Sequence, residues 1–525
     1  MCSVWQDLDD MKYPIGIQSF ENLRSDGWVY VDKTALVHRL VSTGKYYFLS
    51  RPRRFGKSLL LSTLKAYFEG KKHLFNGLAM MQLEHEWRVH PVLHLDLNIE
   101  KYDSLESLDN ILESNLSYWE EKYGAEPSER SFSLRFAGIV RRAYEKTGER
   151  VVVLVDEYDK PILQAIGNEQ LQDQLRNSLK AFYGVLKSAD AYIRFTMLTG
   201  VTKFGKVSVF SDLNNLEDIS MSEQFSGICG ISDKELHDYF DDEIGELAKR
   251  NSTSKDVAYE ELRMRYDGYH FAPNTSGIYN PFSILLSLKN RNYGSYWFAT
   301  GTPTYLVELL KNSKFNLQKL SGYETSESAL SSIHNAHVNP VSVLFQSGYL
   351  TIKGYDEELK LYMLDFPNEE VRHGFINCLM PIYTSVSEQD SPAFIGNFVR
   401  EVRSGKVDDF MNRLRAILAD TPYELIRELE NHYQNVMYII TKLMGFYVQA
   451  EYRTSNGRID LLIGTDKYVY IIELKFEGSS QMAMKQIESK RYDMPFATDD
   501  RKVIKIGANI SSETRNIDEW IVAEN

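Results

Sequence analysis

Ser50-Arg51-Pro52-Arg53-Arg54-Phe55-Gly56-Lys57-Ser58 decides how this chain is read. It follows an apolar run, Tyr46–Ser50, and opens a helical stretch, Leu59–Tyr67, which is the strand–loop–helix setting of a phosphate-binding loop. A helix N-terminus offers unpaired N–H groups and the positive end of a dipole, both suited to an anion. In such a loop Lys57, next to Gly56, reaches the β- and γ-phosphates of a nucleotide, and Ser58 sets its hydroxyl on Mg2+. The pattern G-x-x-x-x-G-K-[ST] is incomplete, because Arg51 stands at the first glycine and restricts the backbone there. Arg53 and Arg54 partly offset this by adding positive charge near the phosphates.

A second motif strengthens the first. Arg150-Val151-Val152-Val153-Leu154-Val155-Asp156-Glu157 is a buried strand ending in two acids, and buried strands rarely end so without a cation or a cap. In a P-loop ATPase the first acid, here Asp156, orients the Mg2+ shell, and the second, Glu157, polarises the attacking water. A later strand, Arg194–Thr199, ends in a hydroxyl: Thr199 is a candidate γ-phosphate sensor, with a satisfied strand-end hydroxyl as the alternative. With Val92–Leu97, these short β-branched strands alternate with helical stretches over the first ~230 residues, an arrangement that argues for a parallel sheet covered by helices.

Tyr30-Val31-Asp32-Lys33-Thr34, the Arg51–Ser58 loop, Val155-Asp156-Glu157-Tyr158-Asp159, Leu198-Thr199-Gly200-Val201-Thr202 and Tyr279-Asn280-Pro281-Phe282 occur in order. Together, over roughly residues 11–290, they resemble the bacterial AAA-ATPase-like family, in which arginine at the first loop position is usual. The resemblance implies that Tyr30–Thr34, with Asp32, lies near the adenine of ATP. It also implies that Tyr266-Asp267-Gly268-Tyr269 and Tyr279–Phe282 belong to a lid over the nucleotide.

The C-terminal region carries a different pattern. A two-residue turn at Asp466-Lys467 pairs Thr465 with Tyr468, and counting outward pairs Asp460 with Glu473. Opposed residues share a face, and Lys475, two positions on, shares it too. Two facing carboxylates repel unless neutralised, and Mg2+ accepts sites with few carboxylates. Lys475 can then activate a water and stabilise developing charge; a plain Glu–Lys surface pair is the alternative. Glu451, just upstream, is either a third carboxylate or a solvated edge residue. Gln486, Lys490 and Arg491, on a helix from Met482 to Tyr492, face either the site or solvent. Residues 425–510 thus resemble the PD-(D/E)xK nuclease superfamily, although Ile459 stands where the proline of that name would be.

Composition bounds the remaining readings. The chain has 525 residues, 43% hydrophobic and 25% charged, as ordinary globular proteins do. The longest apolar candidate, Val436–Val448, is broken by Lys442 and too short for a membrane span, and the N-terminus does not read as a signal peptide. Cys2, Cys229 and Cys378 have no metal or disulfide spacing, so a cytoplasmic location without membrane association is expected. The net charge of −13 does not suit a dedicated nucleic-acid coat; residues 430–525 carry about −2.

The expected fold is α/β: a P-loop NTPase parallel sheet in residues 1–230, a helical lid or connector in 231–422, and a restriction-endonuclease-like α/β domain in 423–525. Two functional readings follow. In one, ATP and Mg2+ control a nuclease acting on nucleic acid, DNA ahead of RNA. In the other, the chain is a nucleotide-dependent switch whose C-terminal domain binds without cutting. No arginine finger is evident, and the oligomeric state stays open.

Overall fold

The structure, a computed structural model, describes residues 11–203, 215–298, 306, 309–310, 315, 317–331, 339–420, 429–445, 447–449, 452–454 and 457–524. The chain forms two compact units, Met1–Glu308 with Gly322–Glu370 and Leu309–Ser321 with Val371–Asn525.

The first unit is built on a sheet of β1 (Tyr46–Ser50), β2 (Val92–Asp96), β3 (Val151–Asp156), β4 (Ile193–Gly200) and β5 (Glu217–Asp218), in the order β2-β3-β4-β1-β5. Every neighbouring pair is parallel. Strands covered on both faces read as continuous apolar runs, and all five residues of β1 and all six of β3 are buried. The helices Leu105–Tyr123, Phe132–Thr147 and Glu169–Tyr183 cover the sheet through Leu108, Leu112, Ile139, Leu175 and Leu179. Ser104, Ser131 and Asn168 start these helices by accepting backbone N–H groups three residues on. The register sets Ser50 beside Gly200, Leu49 beside Thr199, and Asp156 beside Asp96. The chemistry-bearing residues therefore gather at the carboxyl ends of the strands, where open parallel sheets bind ligands.

Beyond this sheet, β6 (Ile231–Ser232) and β7 (Ile278–Tyr279) pair antiparallel. The helix Asp233–Arg250 follows, fixed by a reciprocal capping box between Ser232 and Glu235. Helical segments were expected to dominate up to residue 422. The structure adds a three-stranded antiparallel sheet of β8 (Tyr323–Ser326), β9 (Thr351–Asp356) and β10 (Leu361–Asp365), in the order β8-β10-β9. In β10 only Tyr362 and Leu364 are buried, around an exposed Met363, an alternation too short to stand out in the sequence.

The second unit carries β11 (Tyr447–Gln449), β12 (Tyr452–Thr454), β13 (Gly457–Ile459), β14 (Leu461–Gly464), β15 (Tyr468–Phe476), β16 (Lys502–Ser511) and β17 (Asn516–Glu524). The main sheet runs β11-β14-β15-β16-β17, with β15 and β16 parallel and the other pairs antiparallel. The helix Ser480–Ser489 connects β15 to β16 and buries Ala483, Met484 and Ile487. The run Val436–Val448 is divided between the helix Leu429–Leu443 and β11. No helix of the described residues is long and apolar enough to cross a membrane.

Candidate functional sites

At the phosphate loop, Gly56 takes a left-handed φ of 92° and leads into the helix Lys57–Phe68. Arg54 shares that backbone region at φ 67°, which a side chain makes costly. Lys57 is 4% exposed. Its Nζ donates to the carbonyls of Arg51 (3.2 Å) and Pro52 (3.4 Å) and pairs with Glu157 Oε1 at 3.3 Å. Ser58 is half-buried on the first helical turn; Arg53 and Arg54 are exposed, and the Arg54 guanidinium lies 4.9 Å from the Phe282 ring.

The acids follow from β3. Asp156 Oδ1 accepts the backbone N–H of Glu157 (3.0 Å) and the hydroxyl of Thr199 (2.6 Å). Thr199, fully buried, therefore directs its proton to Asp156 and fixes that carboxylate. Glu157 is left-handed at φ 51°, a strained setting of the kind that clusters at functional sites. The sequence reading brings Lys57, Ser58, Asp156, Glu157 and Thr199 to this sheet edge, and the structure holds them there. Asp32 is engaged differently. Its Oδ1 accepts the amide and hydroxyl of Thr34 (2.8 and 2.6 Å), and its Oδ2 accepts the Ala79 amide (2.8 Å). Both oxygens thus pin local backbone.

Two acids were not singled out from the sequence. Asp159 is fully buried and clamps the end of β4, accepting from the Val201 amide and from the amide and hydroxyl of Thr202 (both 2.6 Å). Burial, then the nearby Glu157, push its carboxyl up to about 6. Asp96 ends β2 beside Asp156; burial and Asp156 raise it, while the Asn98 amide lowers it. A strand-end acid in register with Asp156 is visible only once strand order is known.

In the second unit, β14 and β15 pair Leu461 with Ile472 and Gly464 with Val469. Thr465 N donates to Tyr468 O across the turn (2.8 Å). Asp460 sits at a bend between β13 and β14, and its Oδ2 accepts the Leu474 amide (2.9 Å). Lys475 Nζ lies 3.1 Å from Glu473 Oε1 and donates to Gln486 Oε1 at 2.6 Å. Gln486 Nε2 donates in turn to Glu473 Oε1 and, at 3.4 Å, to Tyr492 Oη. Of the three helical candidates, Gln486 reaches the site, whereas Lys490 and Arg491 are exposed. Glu451 lies outside the described residues.

Glu473 is 1% exposed, and among the described residues its Oε2 has no hydrogen-bond partner. Burial, then the Asp460 carboxylate, push Glu473 up to about 7, against the lowering pull of Lys475. A buried orphan carboxylate oxygen beside a second carboxylate is the donor set a hard divalent cation takes. Among the described residues no group of three such ligands gathers.

The helix bearing Gln486 is seated by an absence. Gly507 pairs with Glu473 in the β15–β16 ladder, and a Cβ there would stand 2.6 Å from both Met484 N and Ser480 O. Gly507→Ala is expected to lift the helix, cost roughly 1–3 kcal/mol of stability and part Gln486 from Glu473. Urea denaturation of the full chain checks this; an unchanged midpoint would mean that the helix has room.

Comparison with known proteins identifies the two regions by family. A family model described as "Predicted AAA-ATPase" matches residues 14–210, and one described as "PD-(D/E)XK nuclease superfamily" matches residues 428–520. The chain is 34% identical over 529 residues to an "Uncharacterized protein in vnfD 5'region" of Azotobacter chroococcum mcd 1, an alignment spanning 97% of this chain and 98% of that protein. The chain belongs to the family in which an AAA-ATPase-like domain is joined to a C-terminal domain of the PD-(D/E)XK nuclease superfamily.

Proposed function

We propose that this protein binds and hydrolyses ATP at the first site and uses the nucleotide to control Mg2+-dependent cleavage of nucleic-acid phosphodiesters, DNA ahead of RNA, at the second. In this reading residues 1–230 hold the nucleotide, 231–422 supply a lid and connector, and 423–525 carry the cleavage site. Lys57 holds the β- and γ-phosphates with the loop amides, Ser58 and Asp156 are the residues for Mg2+, and Glu157 orients water.

The observation that carries the nuclease half is the buried Glu473 carboxylate with one oxygen unpartnered, beside Asp460 and Lys475. A divalent cation bound there would supply Lewis-acid neutralisation of phosphate charge. Asp460 and Glu473 are the residues to hold it. The Lys475 ammonium is positioned to stabilise charge developing on the phosphate, and Gln486 keeps Lys475 and Glu473 in place through one amide. Incubating purified protein with Mg2+ or Mn2+, with and without ATP, and with single- and double-stranded DNA and RNA tests the reading. Loss of cleavage in Lys475→Met supports it; no cleavage of any polymer by the native protein overturns it.

The net charge of −13 favours a second reading, a nucleotide-driven switch whose C-terminal domain binds a partner without cutting it. Cation binding that persists without cleavage is its signature.

The raised Glu473 carboxyl sets a pH dependence. A folded-state value of about 7 against an ordinary 4.5 means that its favourable contribution to stability is full below 4.5 and is lost as pH rises through about 7. A cation needs the ionised form and displaces the proton. Mg2+ affinity is therefore expected to rise roughly fivefold between pH 6 and 7 and to level off above about pH 8. Calorimetry in two buffers of different ionisation enthalpy should detect about one proton released near pH 6.5, and affinity flat across this range would remove Glu473 from the ligand set.

A further inference from the structure

Arg51 breaks the glycine pattern of the phosphate loop without breaking the loop. Its backbone does not adopt positive φ; Arg54 and Gly56 do. A side chain is thus sterically allowed at position 51, and what it does there is visible. The guanidinium is 1% exposed. Nη1 donates to Ser50 O (2.9 Å) and Ser220 O (2.7 Å), and Nη2 donates to Phe225 O (3.3 Å). The group lies 3.9 Å from the Phe271 ring centroid, a cation–π contact. Among the described residues no carboxylate forms an ion pair with it, and Nε has no hydrogen-bond partner. The main chain of the same residue takes part in the site: its N–H donates to Gly200 O at the end of β4 (3.2 Å), and its carbonyl accepts from Lys57 Nζ (3.2 Å).

The rest of the loop is also held from outside itself. A Cβ on Gly348 would stand 2.5 Å from Pro52, so that backbone lies directly on the loop. Trp297 Nε1 donates to Arg53 O (3.2 Å). Phe55 packs edge-on against Tyr269 (4.7 Å) and Phe271 (5.5 Å), and its carbonyl accepts the Gly230 amide (3.2 Å). Gly230, Tyr269, Phe271, Trp297 and Gly348 all lie beyond residue 210, outside the matched ATPase segment. Burying a cation that lacks an ionic partner costs several kcal/mol. Burial pulls the Arg51 guanidinium down to about 10, against the raising pull of Cys229 and Asp218. A leucine would fill the same space without that cost, so the fork of donors is what the position requires.

We infer that Arg51 is a positioning residue for the nucleotide's phosphates: its side chain locks the loop to the Ser220–Phe225 and Phe271 segments, doing for this loop what the first glycine does elsewhere. The inference rests on the ATP-binding reading and makes a prediction opposite to motif logic. Arg51→Gly restores the standard G-x-x-x-x-G-K-S pattern, yet it is expected to weaken ATP binding by about 100-fold, the scale of an ångström-sized misplacement. Arg51→Lys keeps the charge and loses the fork, and should fall between native and Arg51→Gly. Titrating a fluorescent ATP analogue, with displacement by ATP, inorganic tripolyphosphate and adenosine, reads this out. Affinity for ATP and tripolyphosphate should drop while adenosine competes as it does with native protein; a general packing defect would weaken all three. Native affinity in a folded Arg51→Gly protein overturns the inference and leaves ATP binding intact. If Arg51→Gly does not fold, native affinity in Arg51→Lys overturns it. Native protein that binds no ATP overturns the nucleotide reading, and this inference with it.

Discussion

Lys57→Ala is expected to remove ATP binding at millimolar nucleotide, a loss of at least ~100-fold, the scale reached when a buried charge aimed at phosphate is deleted. Lys57 Nζ stands among the Arg51 and Pro52 carbonyls and Glu157. The native protein should melt at a higher temperature with Mg2+ and ATP, because a ligand of the folded state stabilises it by mass action; the variant should show no such rise. Glu157→Gln is the companion. It retains size and shape but not the charge proposed to orient water, so binding should persist while hydrolysis slows by about 100-fold or more. Hydrolysis at the native rate in both variants would end the ATPase assignment.

At the other site, Asp460→Asn and Lys475→Met are expected to part company. The asparagine side chain would keep an oxygen acceptor for the Leu474 amide, so the bend should survive while a cation ligand is weakened and cleavage falls with it. Lys475→Met keeps much of the packing of the lysine stem and both carboxylates. Mg2+ binding should therefore persist while cleavage drops by roughly 100- to 1,000-fold, the cost of removing one preorganised charge-stabilising donor. Calorimetry and a cleavage assay on the same preparations separate the two. Equal loss of metal binding in both variants would show that Lys475 supports the site's architecture rather than its chemistry.

Much of this was legible in the sequence because it depended on short-range counting. The turn at Asp466-Lys467 fixes the β14–β15 register, and a period of two then carries Asp460, Glu473 and Lys475 to one place. The parallel sheet was legible because β1 and β3, buried along their whole length, read as continuous apolar runs between helical stretches. What the sequence hid depended on distant partners. Gln486 could not be told from Lys490 or Arg491 until the helix was seated, and its seat depends on Gly507, whose close approach to Met484 leaves no local mark. Asp96 and Asp159 follow strands as any turn acid might; only the strand order makes Asp96 a neighbour of Asp156. Thr199 was visible as a strand-end hydroxyl, but its bond to Asp156 was not.

The order in which the chain is assigned to its two units has a consequence for how the protein is made and inherited. Leu309–Ser321 belongs with Val371–Asn525, although Gly322–Glu370 belongs with the first unit. Within the second unit, Leu317 donates its amide to Asn435 Oδ1 at 3.0 Å. The ribosome therefore delivers a piece of the second unit before the first is finished, and that piece waits more than a hundred residues for the helix it meets. No single cut frees either unit whole. A fragment beginning at Val371 lacks the 309–321 segment, and one ending at Glu308 lacks the Gly348 backbone that lies on Pro52. Gene rearrangements that swap domains at one junction would damage both halves, so the two sites are expected to travel through lineages as a pair.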